Sequence, residues 1–205
     1  MNYADNLVVL AGVLALSMIS PGPNFAIVTS TAIAQSRRAG VIAGLGLAAA
    51  SGTWTLLTLA GLGLVIAHAA WLYAALRVLG ASYLIFLGAR MLWHAAKPLP
   101  LDADQPARNR DNAFRKAYFV SLTNPKSAAF YGSILAVMLP AHAPLWFSAA
   151  VVGLAVLLSA IWYCGVAYLL SSPSVRRRFL KVRALFDAMI GVVLMGLGVK
   201  LLAGP

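Results

Sequence analysis

Apolar residues run along this chain in stretches longer than most globular helices need, and the polar residues collect between them. A helix requires about 20 mostly apolar residues to cross roughly 30 Å of hydrocarbon. Six stretches meet that length, at about 5–35, 39–67, 71–93, 113–139, 144–170 and 184–203. They are separated by a short turn at Gln35–Gly40, an uncharged link near His68–Trp71 and a hydrophilic segment from His94 to Asn112. An uncharged turn at Pro140–Pro144 and a basic segment, Ser171–Arg183, complete the series. The first two stretches exceed the required length, so tilt or breakage is expected in them. The pattern predicts an all-α membrane protein with six transmembrane helices.

Composition agrees. Of 205 residues, 61% are hydrophobic and 10% charged, against about 25% charged in an ordinary soluble domain. A water-soluble enzyme, a disordered tail and a free-standing nucleic-acid binder are poor fits. The net charge of +11 is unevenly placed. Arg37 and Arg38 share one connection, Arg90, Lys97, Arg108, Arg110, Arg115 and Lys116 flank the middle one, and Arg176, Arg177, Arg178, Lys181 and Arg183 fill the last. The two intervening connections carry no Lys or Arg. Basic loops stay in the cytoplasm, so both termini are expected outside. The last cluster also suits anionic lipid. The first residues, Met1–Asn6, have no basic group, so the first apolar run is expected to stay as a transmembrane segment and not act as a cleaved signal. The single cysteine, Cys164, allows neither an intrachain disulfide nor a thiol pair.

The chain repeats itself. Leu87-Gly88-Ala89-Arg90-Met91-Leu92 near the end of the third stretch resembles Leu197-Gly198-Val199-Lys200-Leu201-Leu202 near the end of the sixth, with Gly80 and Gly191 preceding them. The first and fourth stretches are each interrupted, by Ser20-Pro21-Gly22-Pro23-Asn24 and by Thr123-Asn124-Pro125-Lys126. Two three-helix repeats are therefore expected, 1–93 and 113–205, joined by a cytoplasmic linker at 94–112. With an odd number of spans each, the second copy must enter the membrane inverted, the arrangement of many secondary transporters.

Proline has no N–H to give and clashes with the carbonyl four residues earlier, so Pro21 and Pro23 around Gly22 should stop a helix. Freed backbone groups are tolerated in a membrane only against protein or water. At about 1.5 Å per residue, both breaks fall roughly 15–21 Å into their spans, near mid-membrane. Lys126 is the sharpest clue there, because a lysine at the bilayer centre costs about 2.5–3.5 kcal/mol on insertion scales. Two roles are open to it: holding or titrating against an anionic substrate group, and capping carbonyls of the broken first helix. Asp187 is the other candidate for carrying a proton, or it offsets Arg183. Arg77, Arg90 and Lys200 lie close enough to span ends to snorkel. His68, His94 and His142 do not cluster, so no metal site is expected. Gly40, Gly44, Ala48 and Gly52 form a smooth strip suited to close helix packing, which also permits a homodimer. Trp54 and Tyr131 are placed to close a cavity.

The Pro-Gly-Pro-Asn run, the Asn-Pro-Lys run and the segment from Gly80 to Arg90 together resemble the LysE/RhtB family of bacterial lysine and homoserine/threonine exporters. The resemblance extends from Asn6 to Leu202. It implies efflux of amino acids or close derivatives across the inner membrane, driven by the proton motive force, with no cofactor. Its motifs map onto Pro21, Gly22, Pro23 and Asn24 and onto Asn124, Pro125 and Lys126; with Ser20 and Tyr131 these are the expected substrate-binding residues. The reading of the residues adds a mechanism: Lys126 and amides near Asn24 hold the α-carboxylate, while carbonyls before Pro21 and Pro125 receive the α-ammonium. No acidic residue is placed to select a basic side chain, which favours neutral amino acids. A small-solute channel or a metal-ion exporter on the same plan is the alternative, although a metal exporter would need several intramembrane carboxylates or imidazoles.

Overall fold

The computed structural model describes residues 3–19, 22–68, 70–95, 112–135, 138–139 and 143–203. Ser20, Pro21, His142, nearly all of the 94–112 linker and the side chains of His68, Arg77, His94, Pro125, Arg176, Lys181 and Arg183 lie outside the described residues. Every regular element among the described residues is helical. They are α1 (Tyr3–Ile19), α2 (Pro23–Ala34), α3 (Arg37–His68), α4 (Ala70–Ala95), α5 (Ala113–Leu122), α6 (Pro125–Ala129), a π-helical turn (Phe130–Leu135), α7 (Leu145–Leu170) and α8 (Pro173–Ala203).

The helices stop where proline chemistry says they should. Pro23 and Pro125 each occupy the first turn of a new helix, the position where a missing N–H costs nothing. The axes of α1 and α2 differ by 59°. Residues Arg37–Gly61 of α3 and all of α7 are long and apolar enough to cross a membrane, and the α1–α2 pair makes a third crossing if it is one span. Val78–Trp93 of α4 is a shorter apolar helix. The chain is thus a helical membrane protein.

One expected connection is different. The basic segment Ser171–Arg183 is not a loop, because α8 starts at Pro173 and runs through it without interruption. Arginines near a helix amino end oppose its dipole, so helix stability does not account for their presence. Phe179, in the same segment, stacks on Phe25 of α2 at 5.8 Å between ring centroids.

Lipid tails are as apolar as leucine, so helices in a membrane associate through close packing and not through exclusion of water. Glycine provides that closeness here. On α3, a β-carbon at Gly44 would lie 3.0 Å from the Cys164 nitrogen, one at Gly52 would lie 2.8 Å from Val156, and one at Gly40 would meet Ala32 and Ala167. The smooth strip of α3 is therefore occupied within the chain, by α2 and α7, and is not left for a second copy. Helices α4 and α8 form the other extensive pair. Gly88 lies against the backbone of Gly191 and against Met195, and Gly198 lies against the carbonyl of Ala81 and against Ile85. Leu84 and Leu194 are buried between these contacts. The same core continues through Leu10, Leu14, Val28, Leu47, Phe147 and Val151, joining α1, α2, α3 and α7.

Candidate functional site

The two helix breaks meet. Asn124 caps α6, its Oδ1 accepting the Lys126 amide N–H at 3.0 Å. Asn, Asp and Ser lead at this position because a side-chain oxygen can satisfy a first-turn amide. The Asn124 Nδ2 donates to Asn24 Oδ1 at 3.0 Å, and Asn24 Nδ2 donates to Ser121 Oγ at 3.1 Å. A chain of three polar side chains thus runs from α2 to α5 across both interruptions. Asn124 and Ser121 are buried, where an unpaired amide or hydroxyl costs about 1–3 kcal/mol.

Lys126 folds back over the first break. A β-carbon at Gly22 would lie 3.5 Å from Lys126 Cδ and 3.8 Å from its Nζ, so the ammonium sits beside the start of α2. Gly22 is the N-cap of α2 in an extended conformation, with no side-chain cap. The positive end of that helix and the lysine charge therefore reinforce each other at one place. Arg90 and Asp187 also act electrostatically on Lys126. Asp187 is buried in α8.

A cavity of about 30 Å³ lies at this junction. Its wall comprises Ser17, Met18, Gly22 and Asn24 from the first interrupted helix, Ser51 from α3 and Tyr163 from α7. The second interrupted helix adds Asn124, Lys126, Ser127, Phe130 and Tyr131. Small-molecule sites commonly combine apolar walls with a few convergent polar groups, and this wall has that makeup. Ser51 is tied across to Ser159 of α7 at 3.0 Å. Trp54 stands behind the wall, stacked on Tyr131 at 6.3 Å with an interplanar angle of 8°.

Of the residues expected from sequence, the structure brings Gly22, Asn24, Asn124, Lys126 and Tyr131 to one cavity. Pro23 and Pro125 shape it from the first turns of α2 and α6, while Ser20 and Pro21 lie outside the described residues. Asp187 is not in the described wall. The sequence reading missed Ser121, Ser127, Phe130, Met18 and Tyr163. Ser121 had a signal: it stands four residues before Pro125, where a carbonyl must lose its helical donor. Tyr163 had none. Among the described residues no three His, Cys, Asp or Glu side chains gather to hold a metal ion.

Comparison with known proteins adds an independent line. The chain is 28% identical to the threonine efflux protein of Escherichia coli (strain K12), over 94% of this chain and 95% of that protein. It is 30% identical to the leucine efflux protein of Klebsiella pneumoniae over 98% and 94%, and 28% identical to the uncharacterized membrane protein YahN of E. coli (strain K12) over 89% and 82%. No solved structure matches. The family model for LysE type translocators matches residues 15–204. With that match spanning nearly the whole chain, including both helix breaks and the cavity they enclose, the protein belongs to the LysE family of translocators.

Proposed function

We propose that this protein is a secondary transporter that exports neutral amino acids, or close derivatives of them, across the bacterial inner membrane. The observation that carries the reading is the position of Lys126 beside the uncapped amino end of α2, inside a cavity between two interrupted helices. A substrate α-carboxylate placed there meets a full positive charge and the positive end of a helix together, the arrangement that makes helix amino termini anion sites. Carbonyls released at the first break receive the α-ammonium. Met18, Phe130, Tyr131 and Tyr163 then face the substrate side chain.

Lys126 is the only charged residue in the described wall. The described wall offers no carboxylate to receive a lysine or arginine side chain, which favours neutral substrates. The relatives named for threonine and leucine efflux support the same substrate class. For the coupling, Lys126 releases its proton to the cytoplasm as the cycle exchanges substrate for protons, with Asp187 as a second proton-carrying candidate.

The contacts between α4 and α8 support the inverted repeat. Aligning Leu87-Gly88 with Leu197-Gly198 carries Gly191 onto Ala81 and Met195 onto Ile85. The same operation turns the Gly88–Gly191 contact into the Gly198–Ala81 contact, and the Gly88–Met195 contact into the Gly198–Ile85 contact. Each is present, as a two-fold axis between the helices requires. The units 1–93 and 113–205 rock about the cavity, with the 94–112 linker in the cytoplasm, both termini outside and membrane lipid around them.

The test is efflux of labelled threonine and leucine from cells expressing the protein, with and without a protonophore. Wild type exports and the protonophore slows it. Lys126→Met inserts into the membrane in normal amount and exports at background; wild-type export by that variant removes Lys126 from the mechanism.

A further inference from the structure

Pro125 has no N–H to offer the Ser121 carbonyl, the partner that an unbroken helix would have supplied four residues on. Two donors take its place. The Asn124 amide reaches the Ser121 oxygen at 3.3 Å, and Trp54 Nε1 of α3 reaches it at 3.3 Å. The indole therefore does more than fill space. It caps the orphaned carbonyl at the end of the first half of a broken helix.

A face of the same ring carries a second contact. It stacks on Tyr131, which is 5% exposed and forms part of the cavity wall. One turn further along α3, the Thr58 hydroxyl shares its single proton between the Tyr131 carbonyl at 3.0 Å and the Trp54 carbonyl at 2.9 Å. Helix α3 thus grips both the ring and the backbone of Tyr131. Tyr131 lies in the π-helical turn Phe130–Leu135, and π turns occur mostly as single-turn bulges, often at functional sites. The Ser121 end is joined in turn to Asn24 and Asn124.

We propose that Trp54 is a positioning residue for transport: it links the gap between α5 and α6 to the Tyr131 wall of the cavity, so that opening the gap and displacing the wall occur together. This rests on the export reading, but on a different part of it from Lys126. Opening the gap between α5 and α6 moves the Ser121 carbonyl away from the indole N–H. A ring released from that bond no longer holds Tyr131 in its stacked place. A solute pressing on Tyr131 runs the same sequence backwards. The linkage is physical because each contact has a made and a broken form.

Two variants separate linkage from simple support. Trp54→Phe keeps an aromatic face for Tyr131 and deletes the N–H donor. Thr58→Val keeps the shape at α3 and deletes the donor to the Tyr131 carbonyl. Each is purified, its binding of labelled threonine and leucine measured in detergent, and its initial efflux rate measured in proteoliposomes with an imposed pH gradient. The expected result is binding within about threefold of wild type and efflux slower by about tenfold, the scale of one lost hydrogen bond. Wild-type efflux in both variants overturns the proposal. So does a matching loss of binding and efflux in both, which would make these residues part of the binding wall itself. Should Trp54→Phe fail to insert, Thr58→Val alone decides by the same two criteria. Absence of binding and of export in the wild-type protein would instead count against the export reading.

Discussion

The Asn124 carboxamide uses both of its ends, accepting from the Lys126 amide and donating to Asn24. Asn24 takes part in the pair but caps nothing in the described contacts. Replacing Asn124 by Ala should therefore cost about 1–2 kcal/mol, combining a lost helix cap with a lost buried bond. Asn24→Ala should cost less, since its loss leaves the α6 cap in place. Thermal unfolding of both variants in detergent micelles gives the order, and a reversed order would show that the α6 cap is not the larger contribution. Lys126 was legible in the sequence because a mid-span lysine is too expensive to be accidental. Its neighbour Gly22 was legible as a helix stop, but not as the surface along which the lysine stem lies.

At the scale of elements, α4 and α8 pack glycine against backbone, and this sets a sharp steric expectation. A β-carbon at Gly191 would lie 2.8 Å from the Gly88 carbonyl oxygen and 3.1 Å from Leu92. Overpacking of that kind costs about 1–3 kcal/mol, so Gly191→Ala should lower the unfolding midpoint. Gly196, five residues further on the same helix, has open space around its missing side chain. There Ala should be neutral or stabilising, by up to about 1 kcal/mol of helix propensity. Equal effects at the two sites would mean that the α4–α8 seam is not close-packed. The repeat motif announced these glycines, and the prolines announced the breaks at α2 and α6. The start of α8 is not legible as a helix in the sequence, because its charges read as a connection; Arg177 and Arg178 are exposed on a helix that has already begun.

At the scale of the whole molecule, the distribution of basic residues gives a prediction about orientation. Charge near span ends decides which side is retained in the cytoplasm. A phosphatase fused after Pro205 should be active, one inserted in the 94–112 linker inactive, and a fluorescent reporter should give the opposite pattern. Phosphatase activity from the linker would invert the proposed topology. Helix-breaking is a local property of the backbone, so the sequence alone could locate both interruptions, and hydrophobic length alone could place the chain in a membrane.

Composition, proline chemistry and the spacing of charge thus determined the solvent, the interrupted helices and the cation beside them, because each acts through the chain's own covalent structure or its transfer from water. Which faces of the helices meet was decided only by tertiary structure. In a bilayer the outward face is as apolar as the inward one, so no hydrophobic stripe marks the buried side. The Asn24–Asn124 pair, the approach of Tyr163 to the cavity and the cap that Trp54 places on Ser121 depend on that rotation. Residues distant in sequence become neighbours through the packing of α3, α5 and α7, which the order of residues along any one helix does not specify.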